Sequence, residues 1–164
     1  MANHSSNGFS LVALGGDAFD VSLQDGSANE NGGDGYEFSP GEPVEGNQYL
    51  ARTNRGANNK GHGTLVLNGD LRVEGSLMSN NGKCGYCFDD CSAHVSNSSG
   101  TGNDEYGMHV YATSGITRRY VSALRSNFAR NGLSGRELQV ADNASRQDGM
   151  GGPRRSSAAE GGPG

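Results

Sequence analysis

The stretch Leu65-Val-Leu-Asn-Gly-Asp-Leu-Arg-Val-Glu-Gly-Ser-Leu77 decides the fold class of this chain. Every odd position in it is apolar or glycine, and every even position except Val66 is polar. This period of two predicts a β-strand with one buried face. Glycine and leucine also recur every six residues, at Gly63, Gly69, Gly75, Leu65, Leu71 and Leu77.

Two interpretations of this stretch stay open. In the first, Asn68-Gly69-Asp70 forms a type I′ turn and joins two short antiparallel strands, since Asn-Gly tolerates the positive φ that this turn needs. In the second, the six-residue register is kept and several parallel chains share one apolar axis. Two copies of the unit are too few for a solenoid, which needs about three or more repeats. The second interpretation predicts an interface between chains formed by Leu65, Leu67, Leu71, Val73 and Leu77.

The composition offers little material for a hydrophobic core. Leu, Ile, Val and Phe together supply 26 of 164 residues, about 16%, below the roughly 20% at which disorder is suspected. Glycine accounts for 28 residues, and the net charge is only −5, so self-repulsion does not explain the low hydrophobicity. We therefore expect a small β-domain that completes its core by oligomerisation.

The chain divides into four segments by composition. Residues 1–50 are predicted to hold two strands, 9–14 and 18–23, with a hairpin turn at 15–17 and an extended acidic arm at 24–48. Residues 51–112 form a central β region with the repeat and a Cys/His cluster. Residues 113–142 form a helical segment, and residues 143–164 form a flexible tail rich in Gly, Ser, Arg and Pro.

A helix is predicted over residues 116–130, because apolar residues recur there every four positions, at Ile116, Tyr120, Leu124 and Phe128. Ser114 is placed to cap its start and Asn131-Gly132 to end it. Ser134 and Glu137 have the spacing of a capping box for a second, short helix through residue 141. The expected fold is mainly β with one C-terminal amphipathic helix and long irregular arms.

The densest group of reactive side chains is Cys84-Gly-Tyr-Cys87-Phe-Asp-Asp-Cys91-Ser-Ala-His94. Three thiols and an imidazole within eleven residues predict a Cys3His site for zinc. Other interpretations stay open: a Cys84–Cys87 redox pair, a structural disulfide with one thiol left over, an iron–sulfur site completed by another subunit, or thiols without a ligand. A small zinc-binding or redox module is thus one candidate function.

The segment 67–77 resembles short Gly-x-Leu-x-Val-x-Gly repeats of bacteriophage tail-fibre, head-fibre and decoration proteins. It also resembles one or two turns of a bactofilin β-helix, although bactofilins contain many such turns. The phage resemblance implies a non-enzymatic structural or attachment subunit, a homotrimer that contacts other virion proteins. It also implies localisation to a virion made in the host cytoplasm.

Other classes of function have weaker support in the sequence. No window of 18 apolar residues is present, so no membrane span is expected, and no signal peptide is visible at the N-terminus. Nucleic-acid binding is not expected, because the net charge is negative and no aromatic residues interleave the arginines. Catalytic Ser/His/Asp sets lack a supporting motif such as a nucleophile elbow, so we do not expect an enzyme.

Overall fold

A computed structural model describes residues 3–13, 20–40, 48–111 and 120–138. These residues form a parallel β-helix, in which every pairing between described strands is parallel. The chain advances by one strand spacing, about 4.8 Å, with each turn. We call each turn a rung. Rung 1 contains β1 (Phe9–Ala13), β2 (Asp20–Gln24) and β3 (Ser27–Asn29), and rung 2 contains β4 (Tyr36–Pro40), β5 (Gln48–Arg52) and β6 (Arg55–Ala57). Rung 3 contains β7 (Thr64–Glu74) and β8 (Leu77–Ser79), and rung 4 contains β9 (Tyr86–Ser96) and β10 (Ser99–Thr101). Rung 5 contains β11 (Tyr106–Tyr111) and β12 (Val121–Leu124), and rung 6 begins with β13 (Ser134–Leu138).

The rungs have two lengths that share one register. In rungs 3 and 4 a single strand of 11 residues, β7 or β9, spans two faces of the helix. In rungs 1, 2 and 5 two shorter strands occupy the same positions, and extra residues enter between them. Phe38 pairs with Val66, and Gln48 pairs with Asp70. The longer rung therefore has six more residues between the two faces than the shorter one.

The long strands β7 and β9 bend at one residue in the left-handed region. Asn68 has φ 52° and Asp90 also has φ 52°, and each marks the corner between two faces. The corner also changes which residues face inward. Val66 is buried before the corner, and Leu71 and Val73 are buried after it. The phase of the two-residue alternation therefore shifts at Asn68, where the sequence suggested either a hairpin turn or one unbroken face.

The core lies along the axis of the solenoid and consists of columns of residues from successive rungs. One column is Leu11, Phe38, Val66, Phe88 and Val110, a second is Val21, Tyr49, Leu71, Ala93 and Val121, and a third is Leu23, Ala51, Val73, Val95 and Ala123. Each rung contributes only one residue to each column. A chain that is poor in large apolar residues can therefore still form a continuous core, because stacking packs these residues against one another.

An asparagine recurs at one corner of rungs 1 to 5, at Asn31, Asn59, Asn81, Asn103 and Asn131, and all of these except Asn131 are buried. The side-chain amide of each of the first four donates to Oδ1 of the asparagine in the next rung, over 2.9–3.0 Å. Glycine follows each asparagine four positions later. A Cβ on Gly63 would lie 2.7 Å from the carbonyl oxygen of Gly85, so neighbouring rungs can approach only where this atom is missing. The Asn-x3-Gly motif is thus the sequence signal of the rung.

The helix predicted over residues 116–130 is wrong for its described part. Residues 116–119 lie outside the described residues, and Val121–Leu124 form strand β12, which pairs with β9. The apolar residues at every fourth position do not share one buried face, because Tyr120 and Leu124 are about half exposed while Phe128 is buried. Their spacing comes from a strand followed by a corner and not from a helix. Pairing with the rung below satisfies the backbone of this segment and overrides its helix pattern. Ser134–Leu138 likewise form β13 and no helix.

The predicted arm over residues 24–48 is also wrong where it is described, because it contains β3, β4 and the corner at Asn31. Strands β1 and β2 confirm the two N-terminal strands within a few residues, but they pair with rung 2 and not with each other. The turn at 15–17 and the tail at 143–164 lie outside the described residues. No described segment is a helix with the length and apolar character needed to cross a membrane.

Candidate metal centre

His62, Cys84 and Cys87 form a group in which the potential ligand atoms all lie within 4.8 Å of one another. His62 lies just before β7 in rung 3. Cys84 lies 22 residues later, at the same corner of the next rung, and Cys87 is the second residue of β9. The rung repeat therefore places an imidazole directly beside two thiols. An imidazole and two thiols within this distance are ligands that zinc accepts.

Cys84 is held in place by contacts on both sides of its rung. Its backbone N–H donates to His62 Nδ1 at 3.2 Å, and its thiol donates to Glu105 Oε2 at 3.4 Å. Both Cys84 and Cys87 are buried, while His62 and Glu105 are partly exposed. The hydrogen bond with Cys87, together with burial, raises the pKa of the Cys84 thiol. Without a cation Cys84 is therefore a neutral thiol, which is a poor nucleophile.

Aromatic side chains of rung 5 cover the group. His109 pairs with Cys87 in the strand register, and its ring lies 4.8 Å from the Tyr106 ring and 4.9 Å from the Tyr111 ring. Burial, followed by the nearby Cys87 thiol, raises the pKa of Tyr111. The Cys84 and Cys87 side chains are thus shielded from water even though they lie on the outer side of the sheet.

The structure does not bring the other two predicted ligands, Cys91 and His94, to this group. Cys91 points into the core, where its thiol donates to the carbonyl oxygens of Val66 at 3.3 Å and Asp89 at 3.0 Å. His94 is exposed on the next face, beyond the Asp90 corner, and its Nδ1 contacts Ser122 Oγ. The sequence prediction grouped the four ligands because they lie within eleven residues, 84–94. In a bent strand, the same spacing directs them to different surfaces.

His62 was missed at the sequence level, although a signal for it is present. His62 lies three residues after the corner asparagine Asn59, and Cys84 lies three residues after Asn81. Each also directly precedes a glycine, in Asn-x2-His-Gly and Asn-x2-Cys-Gly. Alignment of the Asn-x3-Gly repeats places the two side chains in one column. The cysteine segment was interpreted without its neighbouring rung, so only ligands close in sequence were considered.

A groove of about 710 Å³ runs along the face formed by β2, β5, the second half of β7, the second half of β9 and β12. Its lining includes carboxylates, two arginines and an exposed aromatic ring: Asp20, Asp70, Arg52, Arg72, His94 and Tyr120. Arg52 forms an ion pair with Glu74 at 3.3 Å. His94 therefore belongs to this groove and not to the cysteine group.

The five leucine and valine residues predicted at an interface between chains fall into two sets. Leu71 and Val73 are buried in the chain's own core. Leu65, Leu67 and Leu77 are on the outer side, where the first two are partly exposed and Leu77 is 36% exposed. Only these last three are placed to meet another chain, because Leu71 and Val73 already pack against neighbouring rungs.

The chain matches no family model, and no curated protein or solved structure matches it either.

Proposed function

We propose that the protein is a non-enzymatic structural subunit of a larger assembly, a fibre, tail or decoration component of a virion. In this proposal copies of the chain join one another, as three subunits, and contact other virion proteins. The observation that supports it best is the partial exposure of the rung 1 core residues among the residues that the structure describes.

The core residues of rung 1 are less well covered than their partners in rung 2. Leu11 and Val21 are partly exposed, whereas their partners Phe38 and Tyr49 are 1% and 2% exposed. Among the described strands, β1 pairs only with β4, and β2 only with β5. The described residues 3–8 lie over the neighbouring corner, where the Gly8 N–H donates to the Asp34 carbonyl oxygen at 2.9 Å.

A strand with one free edge and an exposed apolar end is a ready surface for a second chain, because both its backbone groups and its side chains gain partners there. Core completion by association was expected from the composition. Within the chain, the described rungs already enclose the core around the axis. Among the described core residues, Leu11 and Val21 of rung 1 are still incompletely buried.

Size-exclusion chromatography with light scattering tests this proposal. Each chain has a mass of 17.0 kDa, so a trimer is expected at about three times that value. Val21→Lys should shift the protein to monomer, because a charge at this partly exposed position of rung 1 opposes its burial against neighbouring copies. Ser22→Lys is the matched control, since it adds the same charge to the outer side of β2, and it should leave the assembly intact. A wild-type protein that elutes as a folded monomer at micromolar concentration would contradict the proposal.

A further inference from the structure

We propose that His62, Cys84 and Cys87 bind a Zn²⁺ ion with the Glu105 carboxylate as fourth ligand, so that one ion joins three successive rungs. His62 belongs to the corner before rung 3, Cys84 and Cys87 to rung 4, and Glu105 to the corner before rung 5. This site is independent of the proposed assembly role. The ligands predicted from the sequence all came from residues 84–94, whereas the ligands proposed here come from three successive rungs.

The distances among His62, Cys84 and Cys87 are close to those of a tetrahedral zinc site. Zn–S bonds of about 2.3 Å and Zn–N or Zn–O bonds of about 2.0–2.2 Å place two sulfurs about 3.8 Å apart and a sulfur about 3.5 Å from an oxygen or nitrogen. The ligand atoms of His62, Cys84 and Cys87 are already within 4.8 Å of one another. Glu105 Oε2 is 3.4 Å from Cys84 Sγ but lies outside that group, so the Glu105 side chain has to rotate toward the other two ligands to complete the site.

The chemistry of the group favours a soft divalent cation. Two thiols and an imidazole select zinc over calcium or magnesium, which prefer oxygen ligands. On binding, each thiol loses its proton to solvent and becomes a thiolate. Two thiolates and one carboxylate carry three negative charges, and Zn²⁺ leaves a net charge of −1 at a site where Cys84 and Cys87 are buried. The cation thus offsets most of the cost of ionising them.

Binding by the full-length reduced chain, purified without a metal-chelating tag, tests the site directly. We expect one zinc per chain by elemental analysis and a lower Tm after a chelator is added. In the cobalt-substituted protein we expect the thiolate-to-metal absorption of two sulfur ligands. Cys84→Ser, Cys87→Ser and His62→Ala should each lower zinc affinity at least tenfold, and each cysteine variant should lose part of that absorption.

Control variants come from the residues that the structure places elsewhere. His94→Gln and Cys91→Ser should retain one zinc per chain, even if Cys91→Ser lowers Tm by disturbing the core. Glu105→Gln should weaken binding, whereas His109→Gln, beside Cys87 in the next rung, should not.

Three outcomes would overturn the proposal. The first is a wild-type chain that holds no stoichiometric zinc after reduction, or one that is isolated with a Cys84–Cys87 disulfide in place of the metal. The second is full affinity in Cys84→Ser. The third is a loss of affinity in His109→Gln with none in Glu105→Gln, which would remove Glu105 from the ligand set.

Discussion

Asn81 Oδ1 accepts two hydrogen bonds from Asn59, one rung away: from the side-chain amide at 3.0 Å and from the backbone N–H at 3.2 Å. The Asn81 amide in turn donates to Asn103 Oδ1 at 2.9 Å and to the Gly56 carbonyl oxygen at 3.1 Å. One buried side chain therefore satisfies backbone and side-chain groups in two neighbouring rungs. Buried polar groups in this fold stabilise because they are paired as a continuous column.

Asn81→Ala should lower the free energy of unfolding by about 2–4 kcal/mol, because the buried Asn59 backbone N–H loses its acceptor, and the Asn59 amide and the Gly56 carbonyl oxygen each lose one hydrogen bond. Chemical denaturation monitored by circular dichroism measures the change. The matched control is the preceding residue, Asn80, which is exposed and has φ 53°. Asn80→Gly keeps the left-handed corner and should change stability by less than about 1 kcal/mol. Equal effects of the two substitutions would contradict the structural role of the column.

Gly63→Ala should destabilise the protein by several kcal/mol or prevent folding. The new methyl group would lie 2.7 Å from the Gly85 carbonyl oxygen and 2.7 Å from Met78 Cβ, so two rungs would have to separate. Gly75 offers the contrast, since its φ is +62° and the nearest atom to an added Cβ is 3.5 Å away. Gly75→Asn should cost about 1 kcal/mol or less. Thermal unfolding measures the Tm of both variants. A much larger loss in Gly63→Ala than in Gly75→Asn would show that the lack of space for a Cβ matters more than the positive φ.

Strand content could be predicted from the sequence, but the way the strands pair could not. The alternation in 65–77 identified β7 correctly as β-structure, and 9–14 and 18–23 matched β1 and β2 closely. A period of two reports only which side chains share a face, so it does not separate a hairpin from a rung. The distinguishing signal was the Asn-x3-Gly repeat at intervals of 28, 22, 22 and 28 residues. Its uneven spacing concealed it.

The candidate site was predicted in part. Cys84 and Cys87 were correctly identified as a potential metal-binding pair, and the structure places them beside an imidazole. The remaining ligand positions depend on which corner residues meet across rungs, and this requires the register. Cys91 and His94 were included because they are close in sequence, but the left-handed corner at Asp90 directs one to the core and the other to a separate face.

Rung 2 should tolerate conversion to the shorter rung. Replacement of residues 39–47 by Leu-Asn-Gly, the sequence of residues 67–69, joins Phe38 to Gln48 as Val66 is joined to Asp70. Cooperative unfolding should persist with a free energy within about 1–2 kcal/mol of wild type, because both faces keep their register and loop length has a small entropic effect. Differential scanning calorimetry reports it.

Deletion of Asn68 alone is the matched control for that experiment. It removes the corner of β7 and reverses which residues beyond it face the core, so the protein should lose its cooperative transition. Two results would contradict this view: a shortened rung 2 that fails to fold, or an Asn68 deletion that folds normally. Either would show that the pairing register of neighbouring rungs does not determine how many residues can lie between the two faces.

Stability should fall steeply in alkali between about pH 10 and pH 12. Burial raises the pKa of Tyr36 and of Tyr49 to about 12, while a phenol in the unfolded chain ionises near pH 10. Below pH 10 both states hold the proton and the stabilisation is complete. As the pH rises to 12 the unfolded state loses the proton first, and each tyrosine then costs about 2–3 kcal/mol of stability.

Urea denaturation at pH 9, 10, 11 and 12 measures this loss. Tyr36→Phe removes one of the phenols whose pKa is raised by burial, so its stability should decline less steeply above pH 10 than that of wild type. It also removes the hydrogen bond from the Tyr36 hydroxyl to the Arg55 carbonyl oxygen at 3.1 Å, so the variant should start from a lower value at pH 9. Wild-type stability that is constant from pH 9 to pH 12 would mean that these phenols are not held in the core of the folded protein.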